Sequence, residues 1–116
     1  MESILTSVKK MLGIYEDDTH FDADIIMHIN SVFMTLNQLG VGPSEGFSIE
    51  DDMAEWTDFV APEENLEAVR SYVSHKVLLM FDPPDRAAVL QARESVIREL
   101  ESRLSMGADY NRHNSK

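Results

Sequence analysis

Carboxylates and imidazoles are the side chains in this chain best able to do chemistry. Asp24 and His28 are spaced i,i+4, so on a helix they share one face and could hold a metal. In a chain with 21 acids they read instead as a hydrated surface pair. His75 stands beside Lys76 with no acid close in sequence, and reads as a surface histidine; the remaining histidines are His20 and His113. Glu50, Asp51 and Asp52 are adjacent but lack the alternating D-x-D-x-D-G spacing of a calcium loop, which leaves only loose cation binding. Paired carboxylates do acid–base work only where a pocket raises one pKa, and adjacency among so many acids arises by chance. The chain has no cysteine, so thiol nucleophiles, thiolate metal sites and disulfides are excluded. No phosphate-cradling G-x-x-x-x-G-K-S/T loop, G-x-G-x-x-G turn or H-E-x-x-H pair occurs. These residues predict no catalytic centre, no metal and no cofactor.

The elements that would position these groups are helical. Ile4, Leu5, Val8, Met11 and Leu12 recur at helical spacing, and Gly13 is a stop. Thr19 and Asp22 resemble a capping box, with Asp22 and Asp24 in the first turn of a second helix. Ile25, Ile29, Val32, Leu36 and Leu39 carry that helix to Gly40, with Ile26 and Phe33 widening its stripe. Gly40 to Ser48 has three glycines and a proline and reads as a loop. Met53, Trp56, Phe59 and Val60 fit a short helix within 49–60 that lies on the core, with Trp56 and Phe59 as anchors. Pro62, Glu63 and Glu64 start a further helix bearing Leu66, Val69, Val73, Val77 and Met80. Pro83 and Pro84 make a stiff corner into a last helix, about Asp85 to Met106, so the two long helices form a hairpin. Its apolar side is Val89, Ala92, Val96, Leu100 and Leu104, and Gly107 ends it. Methionines 11, 27, 34, 53, 80 and 106 sit on or beside apolar stripes and read as core filling. The expected fold is all-α, a bundle of four to five helices over 1–106, followed by a flexible tail over 107–116.

At 116 residues and 43% hydrophobic, the chain supports one domain with a modest core. Its net charge is −11, and the charge is unevenly placed. Between Met11 and Val69 there are 14 acids and no base; elsewhere 10 bases face 7 acids. Such a division suits self-association or an oppositely charged partner, although a solvated acidic face needs no partner at all. The acid excess opposes phosphate-backbone binding. Arg86, Arg93, Arg98 and Arg103 are interleaved with Glu94, Glu99 and Glu101, which reads as ion pairing rather than a DNA stripe. The first residues do not read as a signal peptide, and no apolar run reaches the ~18 residues of a membrane span.

Five segments occur in a familiar order: Phe21-Asp22-Ala23-Asp24-Ile25-Ile26-Met27-His28-Ile29-Asn30, Leu39-Gly40-Val41-Gly42, Trp56-Thr57-Asp58-Phe59, Phe81-Asp82-Pro83-Pro84, and Arg98-Glu99-Leu100-Glu101-Ser102-Arg103-Leu104. Together they resemble the small head–tail connector (adaptor) proteins of tailed phages, over about residues 3 to 105. The resemblance implies a helical, non-enzymatic virion protein from a phage or prophage, of the kind often labelled a DNA-packaging protein. Copies would form a homo-oligomeric ring, a dodecamer, under the portal, assembled on the portal as template from a free chain that is a monomer or weak oligomer. The ring would extend the DNA channel and dock stopper or tail-completion proteins, at the head–tail interface of the virion and in host cytoplasm during assembly. The C-terminal region would meet the portal, which by position makes Met106, Tyr110, Arg112 and His113 candidate contacts.

Within that frame, Glu45, Glu50, Asp51, Asp52 and Glu55 are candidate channel-facing acids, because an acidic wall lets DNA pass without binding it. Two other classes compete. An acidic DNA mimic would inhibit a host DNA-binding protein, but needs acids at phosphate-like spacing, whereas Asp22, Asp24, Glu63 and Glu64 are explained by helix starts. A small metal-dependent enzyme lacks the ligand motifs.

Overall fold

A computed structural model describes residues 3–61 and 65–114, with side chains through Ala108. Five helices are present among the described residues, and no strand: α1 Ile4–Leu12, α2 Asp22–Gln38, α3 Trp56–Phe59, α4 Leu66–Phe81 and α5 Ala87–Asn114. The bundle is all-α, as the periodicity predicts.

The first helix shows why local signals suffice there. Ser3 Oγ accepts from Thr6 N at 3.0 Å, closing the N-terminus, and Gly13 at φ 77° closes the other end through its N–H to Lys10 O. The Thr19–Asp22 capping box is not formed. Phe21 holds the N-cap position without a side-chain cap, and its ring packs edge-to-face on Phe81 at 5.4 Å. Asp22 turns instead to Lys9 Nζ, 2.9 Å away. Tertiary contact has overridden the local pattern.

Lys9 is 2% exposed, unusual for a lysine. Its ammonium reaches the carbonyls of Glu16 and Asp18 at 3.0 and 2.7 Å as well as Asp22. One cation thus ties α1, the acidic connector and the start of α2 together.

The Gly/Pro loop after α2 is held by two asparagines of that helix. Asn30 Nδ2 donates to Ile49 O at 3.0 Å while Ile49 N donates to Asn30 Oδ1 at 2.8 Å. Asn37 Nδ2 donates to Pro43 O at 3.1 Å. The helix expected within 49–60 is only the single turn α3. Residues 49–55 are irregular, Met53 is 77% exposed, and Ile4 N bonds Ala54 O at 2.9 Å, spending the backbone outside a helix. Trp56 and Phe59 are buried, Trp56 Nε1 donating to Ser7 Oγ at 2.8 Å. Phe33, Phe47, Trp56 and Phe59 form one aromatic cluster.

The helix α4 is the centre of the molecule. Val69, Tyr72, Val73 and Val77 are fully buried, and α1, α2, α3 and α5 all pack on it, whereas α2 and α5 share no extensive contact. The sequence-predicted start at Pro62, Glu63 and Glu64 lies outside the described residues. After the corner at Pro83 and Pro84, α5 returns along α4 and completes the hairpin. Tyr72 Oη donates to Glu101 Oε2 at 2.6 Å, fastening the two; burial and then Glu101 push the phenol well above its usual pKa.

Two expectations for α5 are corrected. The helix does not stop at Gly107 but continues to Asn114, so 107–114 is helical and only 115–116 lie outside the described residues. Gly107 sits against α4's N-cap instead: a Cβ there would lie 2.8 Å from Asn65 Nδ2. The buried face also differs. Ile97 and Leu104 face the core, while Val89 and Val96 are left exposed. The first half of the predicted stripe is therefore left uncovered by the described residues.

Candidate functional site

Among the described residues, no group of three or more acids or histidines could hold a metal ion. Asp24 is exposed on α2, one turn from the half-buried His28, with no third ligand. What the structure does offer is surfaces.

The first is a groove of about 400 Å³ between α4 and α5, lined by His75, Leu78, Ala88, Val89, Ala92, Arg93 and Val96. All but His75 and Arg93 are apolar. His75, expected as an ordinary surface histidine, is half-buried here. Burial, and then the Arg93 guanidinium, lower its pKa, so it is neutral at pH 7. His75 and Leu78 lie on the face of α4 opposite Val69, Val73 and Val77, so the groove opens away from the core.

The second surface corrects the reading of the methionines as core filling. Met11, Met27, Met34, Met53, Met80 and Met106 are all exposed, Met34 by 65%. Met27 and Met34 lie two turns apart on α2, in one exposed stripe with Asp24, Ser31 and Gln38. Hydropathy counts methionine as apolar; only the neighbouring helices decide whether it is covered.

The third is the acidic loop. Glu45, Glu50, Asp51 and Asp52 are exposed, and Asp51 Oδ1 accepts from Met53 N at 2.9 Å. Glu55 is half-buried and has a local role: with Asp58 it closes a capping box on α3, Asp58 Oδ2 accepting from Glu55 N at 2.8 Å. The fourth surface is the end of α5. Met106 is exposed, and Tyr110, Arg112 and His113 follow on the same helix, their side chains outside the described residues.

A protein-family model described as "Phage connector protein" matches residues 4–111, nearly the whole chain. The chain belongs to that family. No curated protein and no solved structure matches it. The connector is thus an all-α phage structural protein of the head–tail connector family, associated with the virion. Membership in this family implies association with portal and tail proteins within an oligomer. Among its described residues no helix is long and apolar enough to cross a membrane.

Sequence reasoning missed three residues that shape these surfaces. Lys9 sits beside Lys10 and looks like an ordinary surface charge. Asn30 lies inside a quoted motif, but no spacing rule says that it will hold a loop. Asn65 adopts φ 62° at the start of α4, a conformation for which asparagine is the usual non-glycine choice.

Proposed function

We propose that this connector forms a homo-oligomeric ring beneath the portal, extends the DNA channel and provides the platform on which stopper or tail-completion proteins dock. The observation that carries the reading is the family match over residues 4–111. Two unpartnered surfaces on one small domain, the apolar groove and the methionine stripe, support it, because subunits with a marginal core of their own gain by burying such surface on neighbours.

In this reading Glu45, Glu50, Asp51, Asp52 and Glu55 line the channel, and their charge repels the phosphates of passing DNA. Met106, Tyr110, Arg112 and His113 meet the portal on the last turns of α5. The ring assembles on the portal and the subunits persist in the virion.

The test is capture of the full chain by its phage's portal protein, with electron microscopy of the mixture, beside the chain shortened by residues 107–116. Ring density under the portal is expected for the full chain, with weaker capture and unchanged helicity per residue for the shortened one. Capture of a host DNA-binding protein in place of the portal would establish the DNA-mimic alternative.

A further inference from the structure

We infer that the groove between α4 and α5 is the seat of a neighbouring copy of this chain, and that the neighbour enters it with the Asp24–Met27–Met34 face of its α2. The inference deepens the ring reading and rests on it.

Each surface lacks a partner among the described residues of the subunit, and the two are complementary. The groove is apolar, with Val89 and Val96 standing exposed along it. The α2 stripe supplies two exposed methionines at the spacing of two helical turns. Flexible thioethers suit a groove lined by valine and alanine, because they fill irregular apolar space.

Charge points the same way. Arg93 lines the groove and Arg86 lies just before α5 on the same hairpin; neither has an ion-pair partner among the described residues. The stripe belongs to the stretch with 14 acids and no base, and its own Asp24 is exposed and likewise unpaired among the described residues. A contact that buries methionine on valine brings Asp24 toward arginine rather than toward other acids.

Placement completes the case. The groove opens on the side of α4 facing away from the core, and the stripe lies on the side of α2 facing away from it. Because α4 separates α2 from α5, donor and acceptor sit on opposite flanks of one subunit. Such a subunit can hold one neighbour while being held by another, the heterologous arrangement that closes into rings.

The natural chain has no cysteine, so introduced thiols report cleanly. The full chain carrying both M34C and A92C is treated with a short bifunctional thiol-reactive linker, alone at high concentration and again after mixing with the portal protein. Both positions are exposed, which leaves the fold undisturbed. A ladder of covalent oligomers beyond the dimer is expected in at least one setting, while M34C alone and A92C alone give at most dimers. No ladder in either setting overturns the contact, and so does linkage of A92C to the portal, which would make the groove the portal's. Portal capture without a ladder overturns this contact and leaves the connector reading standing. A ladder without portal capture upholds the contact and overturns the connector reading.

Discussion

Lys9 shows how much one side chain can organise. It is a cation held by two carbonyls and one carboxylate, where α1, the connector and the start of α2 meet. Lys9→Met keeps the buried stem and removes the charge, leaving Asp22 without its counterion. A fully buried broken pair costs 3–5 kcal/mol, but Asp22 is a quarter exposed and can be rehydrated, so a loss of about 2–3 kcal/mol is expected by urea denaturation. Gly42 is a second case. It sits at φ 88°, and a Cβ there would come within 2.4 Å of the Phe59 ring. Gly42→Ala is expected to cost about 3 kcal/mol, conformational strain added to overpacking. Gly46→Ala, at φ 94° but in open space, should cost only the strain, about 1 kcal/mol. Equal losses at the two sites would refute the role given to Phe59. His75 gives a pH dependence. Its folded pKa is depressed, so below the ordinary value of about 6.5 the unfolded chain binds the proton first and stability falls with acidification. Urea midpoints compared between about pH 7.5 and about pH 5.5 should fall more for the natural chain than for His75→Gln.

At the scale of elements, the helices readable from sequence were those whose apolar stripe is covered along most of its length. Ile4–Leu12 and Asp22–Gln38 have such stripes, and glycines near their ends. The α5 stripe broke the rule because half of it is left uncovered by the described residues: a sequence records that Val89 and Val96 are apolar, not whether anything reaches them. Gly107 failed for a related reason. A glycine after a run of periodic residues is a stop signal, yet here it lies inside a helix and against Asn65. The two situations predict opposite signs. At a left-handed stop, alanine destabilises; within a helix it gains about 0.5–1 kcal/mol, and the Asn65 amide is the free end of an exposed side chain that can swing aside. Gly107→Ala should therefore raise the thermal midpoint and leave helicity intact. The candidate surfaces were legible only as composition. Acids at Glu50, Asp51 and Asp52 could be named, but the groove at His75 and Val96 needs two helices in register, which no local pattern encodes.

For the whole molecule, the uneven charge now has a geometry. The acid-rich stretch contains α2 and the loop after it, while the bases other than Lys9 and Lys10 follow from Arg70 onward. Association between copies through these parts should weaken as salt rises, since charges are screened over about 8 Å at physiological ionic strength. Because methionine and valine remain in the contact, it should not vanish. Sedimentation of the free chain and of the portal mixture across a salt series checks this; association that strengthens with salt would mean the contact is purely apolar. The position of α4 between α2 and α5 has a last consequence, one of symmetry. Subunits joined flank to flank as proposed would all point in the same direction, so a closed ring of them would have a rotation axis but no twofold across it. The two rims of the proposed ring would then be chemically unlike, with the C-terminal ends of every α5 gathered on the same side. A ring with a distinct top and bottom can present one surface to a capsid and another to a tail without any second kind of subunit.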